Sequence, residues 1–87
     1  MKIEVMRFNN GYMEYEIGNK LRVKTAKKVD DEDWKTALVH GIKPIPTGVE
    51  LICEVYKNFY GTYLKTTYNG HTYHIKPRDC DYIDGWC

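Results

Sequence analysis

The sequence predicts a small, mainly β domain: an antiparallel barrel or rolled sheet with an N-terminal hairpin and one short helix. Three observations lead to this class. Apolar and polar residues alternate over several short segments, which is typical of strands with one face in water. Pairs rich in Asn and Gly separate those segments and favour the tight turns of β-hairpins. Only residues 26–48 break the two-residue period, and they contain the helical pattern.

The first half of the chain predicts three strands and the helix. Residues 1–17 form the expected hairpin, which turns at Asn9-Asn10-Gly11, and residues 21–25 form a third strand. A helix near residues 30–40 is expected because the acidic run 30–33 supplies a capping Asp and carboxylates for a first turn. Pro44 and Pro46 prevent the helix from continuing.

The second half predicts a run of hairpins. In chain order we expect a strand at 49–55, a loop at 57–61, a strand at 62–68, a turn at Asn69-Gly70, a strand at 71–76, a turn at 77–79 that forms one 3₁₀ turn, and a last strand at 80–83. Cys53 and Leu64 fall on the apolar faces of their strands, so we expect both in the core. One domain should span residues 1–87, with the hairpin at 1–17 and a barrel-like core at 21–83.

The segment from Ile45 through Ile83 resembles the bacterial Src-homology-3-type barrels. The shared features are Gly48 before an apolar strand, a short loop, an aromatic-rich strand, a tight turn at Asn69-Gly70, a further strand, and a 3₁₀ turn leading to Tyr82-Ile83. The resemblance covers about residues 21–83 and implies a fold. It carries over no functional residue, because the aromatic pattern of a Pro-rich-ligand groove is not found here.

Composition narrows the function classes. The 87 residues include 13 basic and 12 acidic ones, for a net charge of +1, which argues against a strongly basic nucleic-acid binder and against an acidic DNA mimic. No segment has the apolar length of a signal peptide or membrane span, so we expect a cytoplasmic protein of a bacterial host. In size and in its Lys- and Tyr-rich composition the chain also resembles phage and mobile-element accessory proteins, some of which inhibit CRISPR nucleases.

Catalysis, metal and cofactors are not expected. The chain has no serine, and no family signature surrounds Cys80, although His74 and Asp79 lie near it in sequence. His71, His74, Cys80 and Cys87 are zinc-ligand types. Residues 71 and 74 of one strand point to opposite faces, however, so they should not converge on an ion.

Two groups of residues are candidates for binding a partner protein. One is the acidic run Asp30, Asp31, Glu32 and Asp33 with Trp34 beside it; the other comprises Phe59, Tyr60, Tyr63 and Lys65. Trp and Tyr are enriched at interface hot spots, and carboxylates can accept basic side chains of a partner. Alternatively, the acidic run is a solvated helix start with Trp34 in the core, and half of the aromatic rings cover a thin core.

We therefore expect a non-enzymatic protein-binding module, in the favoured context a phage-encoded inhibitor of a bacterial defence protein such as a CRISPR nuclease. A second expectation is a nucleic-acid-binding barrel that uses Tyr with the basic residues Arg22, Lys24, Lys27 and Lys28. Because the neighbouring acidic run offsets those charges, that binding should be weak and sensitive to salt. A third is an oligomer that sequesters a nucleotide signal.

Overall fold

The computed structural model describes residues 3–86, which form seven strands, one α-helix and one 3₁₀ helix. In chain order these are β1 (Ile3–Phe8), β2 (Gly11–Glu16), β3 (Lys20–Thr25), α1 (Trp34–Val39), β4 (Glu50–Asn58), β5 (Gly61–Tyr68), β6 (His71–Ile75), the 3₁₀ helix (Pro77–Asp79) and β7 (Cys80–Trp86). The predicted mainly-β class, the N-terminal hairpin, the short helix and the 3₁₀ turn are confirmed.

The strands form two antiparallel sheets. β1 and β2 pair as a hairpin, and the five-stranded sheet has the order β6-β5-β4-β3-β7. This larger sheet is open rather than closed into a barrel, so the barrel form of the prediction is wrong. The chain before α1 runs along β6, where the Glu32 amide donates to the His74 carbonyl at 2.8 Å. This segment covers an edge that would otherwise expose unpaired backbone groups.

One hydrophobic core joins both sheets. Alternate residues of the five-stranded sheet turn inward, among them Val23, Cys53 and Leu64, as their two-residue period requires. Met6 and Phe8 of β1 are buried in the same core, which attaches the hairpin to the rest of the domain. The expected burial of Cys53 and Leu64 is confirmed.

The helix begins later than the acidic run suggests. Asp33 is its N-cap residue but makes no side-chain capping bond, and its first turn contains no acidic residue. The prediction of an acidic first turn is wrong: residues 30–33 form a strap without helix or strand structure ahead of the helix, held beside β6 by the backbone bond described above. Within residues 3–86, no helix is both long and apolar enough to cross a membrane.

The turn between β4 and β5 is tighter than expected. Instead of a loop over residues 57–61, the strands continue until Asn58 pairs with Gly61, leaving Phe59 and Tyr60 as the connection. The Asn58 side-chain oxygen accepts a 2.8 Å hydrogen bond from the Tyr60 amide, an Asx-type interaction that stabilises such turns. Gly61 has a φ of 138°, a conformation that side chains oppose. The turn is therefore short and locally braced.

Candidate functional site

Phe59 and Tyr60 form an aromatic turn at the end of the β4–β5 hairpin. Their side chains are 97% and 84% exposed, and their rings meet edge to face with centroids 5.7 Å apart. Neither ring contributes to the core, which removes the alternative that these two aromatics cover it. A polar pair would satisfy the same turn without exposing apolar surface, so folding does not explain the presence of two large rings.

Beside this turn lies a concave site of about 550 Å³, the aromatic groove. Tyr56 and Tyr63 face each other across β4 and β5, on the sheet face opposite the core, and the His74 ring lies 5.1 Å from Tyr56. Tyr60 overhangs the groove from the aromatic turn. The lining residues are Glu32, Asp33, Tyr56, Asn58, Tyr60, Tyr63 and His74.

The strap of residues 30–33 separates the aromatic groove from a second concavity. Glu32 and Asp33 line the aromatic groove, whereas Asp30 and Asp31 line a site of about 340 Å³ together with Trp34. The sequence-predicted residues are thus distributed over two sites. Trp34 is 57% exposed, which excludes the alternative that it belongs to the core. Its ring has the Lys35 ammonium 5.7 Å from the centroid.

Asp31 behaves differently from the other acidic residues of the strap. It is only 6% exposed, and Oδ1 accepts hydrogen bonds from the amides of His74 at 3.1 Å and Asp33 at 3.3 Å. Oδ2 lies 2.9 Å from His71 Nε2, which must carry the proton because a carboxylate only accepts. We therefore remove Asp31 from the predicted binding surface: its carboxylate attaches the strap to β6.

The hydrogen bonds of Asp31 outweigh its desolvation. Burial alone would raise the pKa of this carboxyl, but the bonds from the His71 ring and from the His74 and Asp33 amides lower it below its ordinary value. Asp31 therefore remains ionised at neutral pH. His71 and His74 point to opposite faces of β6, as predicted. The Asp31 carboxylate lies at the edge of this strand and therefore approaches both rings, with His74 Nδ1 3.9 Å from Asp31 Oδ1.

The charge of the aromatic groove is negative. Glu32 pairs with Lys76 at 3.4 Å, whereas the Asp33 carboxylate makes no ion pair with any residue between 3 and 86. No Lys or Arg lines the groove. Lys65, predicted to belong to the binding surface, lies outside it, with its ammonium 5.9 Å from the Tyr56 ring centroid. A ligand that enters the groove meets tyrosine rings and an unpaired carboxylate.

The two thiols in the described part of the chain are unsuited to nucleophilic chemistry. Cys53 and Cys80 are buried, and desolvation raises the pKa of each to about 12, so both remain protonated at neutral pH. Among the residues that the structure describes, no group of three or more Asp, Glu, His or Cys side chains is arranged to hold a metal. Cys87, a member of the candidate zinc set, lies outside the described residues.

Acidic neighbours offset part of the predicted basic patch. Arg22 lies 3.4 Å from Asp84 and 3.9 Å from Glu50, and Lys27 lies 3.2 Å from Asp79. Only Lys24 and Lys28 of this group have no ion pair with a residue of the described chain. A different basic cluster, which sequence spacing does not reveal, is present on the other side of Tyr60.

The fold and these sites define a small β domain with an exposed aromatic turn and an acidic, tyrosine-lined groove. No protein-family model matches the chain, and comparisons with curated proteins and with solved structures find no match either.

Proposed function

We propose that this chain is a non-enzymatic protein-binding module. Its partner presents a basic side chain beside an apolar patch: the basic group enters the aromatic groove, and the apolar patch covers Phe59. The observation that carries the proposal is the near-complete exposure of Phe59 on a braced two-residue turn, next to a groove with an unpaired carboxylate. Because the backbone of this turn is already braced, it loses little conformational freedom on binding, which favours affinity.

The chemistry of the groove selects for a cation. A guanidinium or ammonium gains from the face of Tyr63, and it can pair with the Asp33 carboxylate. Each tyrosine also supplies apolar surface for the methylene stem of Arg or Lys. Because both the rings and the carboxylate line one concavity, a single basic side chain can use them together.

A specific complex would cover only a modest share of the domain's surface. The described chain has 5724 Å² of accessible surface, and a standard interface takes about 800 Å² from each partner, roughly a seventh of that total. The aromatic turn and groove would supply its centre, and Trp34 a neighbouring contact. A bacterial defence nuclease is the partner class that the chain's resemblance to phage accessory proteins suggests, and it is part of this proposal.

Paired variants test the proposal in affinity capture from a bacterial lysate treated with nuclease. Phe59→Ala with Tyr60→Ala should keep the melting temperature, because both rings are exposed, yet lose the captured protein. Truncating one buried interface aromatic typically costs about 2 kcal/mol, or roughly thirtyfold in affinity. Asp33→Lys should lose the same protein, whereas Glu14→Lys, the same charge change at an exposed residue of β2, should retain it.

Two results would contradict the proposal. If the double variant captures the partner as well as the wild type does, the aromatic turn is not part of the interface. If Asp33→Lys and Glu14→Lys reduce capture equally, the response follows total charge, and the groove does not recognise a basic side chain. A captured protein that both Asp33→Lys and the double variant release at constant stability supports the site.

A further inference from the structure

A basic cavity lies on the other side of Tyr60 from the aromatic groove. It has a volume of about 470 Å³ and is formed by β1, the start of β5, and the 3₁₀ helix with the residue before it. Arg7, Lys76 and Arg78 line it, together with Tyr60 and Tyr63. The remaining lining residues are apolar or small, and none is acidic. Three basic residues and no acidic residue therefore line this cavity, and the nearest carboxylates are those of Glu32, paired with Lys76, and Glu4, bonded to Thr62.

The three cations differ in how far their charge is already compensated. Arg78 is exposed and makes no ion pair or side-chain hydrogen bond with the residues that the structure describes. Arg7 also has no ion pair there, and its guanidinium carbon lies 6.0 Å from the Tyr12 ring centroid. Lys76 pairs with Glu32 at 3.4 Å. At least two guanidinium groups are therefore available to an anion.

The lining of the cavity indicates which anion fits. Guanidinium groups bind phosphate oxygens in a planar, two-bond geometry that matches them closely. Tyr60, which is 84% exposed, offers a ring face on which a base can stack, and Tyr63 adds a second ring at the same wall. A volume of about 470 Å³ falls within the range of small-ligand sites. A bare phosphate would leave the aromatic wall unused.

We propose that the basic cavity binds a phosphorylated nucleotide, with the phosphates at Arg7 and Arg78 and the base against Tyr60. The ligand chemistry is a phosphate joined to an aromatic base, and it can come from a free nucleotide or from the end of a single strand. This site is separate from the proposed protein-binding groove, with which it shares only Tyr60 and Tyr63.

Isothermal titration calorimetry of the full chain with ADP tests the proposal. ADP should bind at low salt, and adenosine, which has the base without phosphate, should bind at least about tenfold more weakly, a difference of ~1.4 kcal/mol. Arg78→Glu should weaken ADP binding by about tenfold or more, and Arg7→Glu on a separate element should do the same. Melting temperatures establish that each variant is folded.

Lys28→Glu is the matched control. It makes the same charge change as Arg78→Glu, but Lys28 is exposed and does not line the cavity, so ADP affinity should stay within about twofold. Asp33→Lys, which should abolish partner capture, should leave ADP binding intact. Failure of the nucleotide proposal and failure of the protein-binding proposal therefore give different results.

A competition experiment distinguishes a free nucleotide from the end of a single strand as the source of the ligand. If a short single-stranded oligonucleotide displaces ADP from the wild-type protein at a concentration below that at which ADP itself half-saturates the site, the end of a strand is the better ligand. If the oligonucleotide requires a higher concentration, a free nucleotide is the better ligand. Three results overturn the proposal: no ADP binding up to about 1 mM, adenosine binding as tightly as ADP, or equal losses in Arg78→Glu and Lys28→Glu.

Discussion

Replacing Asp31 by alanine should destabilise the domain strongly, although the residue belongs to an acidic run that looks solvent-exposed in sequence. The change removes the acceptor for the His71 ring and for the His74 and Asp33 amides. A hydrogen bond to a charged group is worth about 1.5–3 kcal/mol, and a buried donor left without a partner costs about 1–3 kcal/mol. Because part of the His71 ring and the Asp33 amide can rehydrate, we expect a net loss of about 3 kcal/mol.

Thermal and urea unfolding measure this loss. For a domain of this size, about 3 kcal/mol corresponds to a melting-temperature decrease of roughly 15 °C. The control is Asp30→Ala, one residue away: Asp30 is exposed, and its carboxylate makes no hydrogen bond or ion pair within the described residues, so its loss should stay within about 0.5 kcal/mol. Equal effects of the two substitutions would refute the assignment of Asp31 as the attachment of the strap.

Three further outcomes are expected. Because the folded-state pKa of Asp31 lies below its ordinary value of 3.8, its charged form contributes stability above that pH. This contribution is lost as the pH falls through the folded-state pKa, so acid unfolding curves of wild type and Asp31→Ala should converge there. Gly85→Ala should lower stability by about 1–3 kcal/mol, measured by urea unfolding, because an added Cβ would lie 2.7 Å from the ring carbon that bears the Tyr15 hydroxyl. Cys53 and Cys80 should resist iodoacetamide at pH 8 until the protein unfolds, as peptide mass spectrometry would show, since burial raises the pKa of both to about 12.

Local pattern accounts for most of the strands. The two-residue period placed Leu64 and Cys53 in the core, and the Asn69-Gly70 pair marked a hairpin turn, with Asn69 at a φ of 49°. These features depend on near neighbours in the chain. Whether the sheet closes into a barrel depends on pairing between segments that are distant in sequence. In this domain the strap, and not another strand of the sheet, covers the edge strand β6. The two-residue period alone therefore does not distinguish a barrel from an open sheet.

The candidate sites were predictable only in part. An aromatic pair between Asn58 and Gly61 is a signal that the sequence carries by itself. Whether the two rings are exposed or cover the core is left open by the sequence, and the structure shows that they are exposed. The inward turn of Asp31 depends on His71, which lies forty positions away, and no local pattern indicates it. The same is true of the basic cavity, since Arg7 and Arg78 are brought together only by the packing of β1 beside the 3₁₀ helix.

The most direct test of the protein-binding proposal places a photo-crosslinking amino acid at position 59 in bacterial cells. A matched protein carries it at position 39, where Val39 is 82% exposed on α1, away from the aromatic groove. We expect a discrete crosslinked protein from position 59, absent from position 39 and lost when Asp33→Lys is added. Crosslinks of equal yield from both positions, or a crosslink at position 59 that persists with Asp33→Lys, would contradict it.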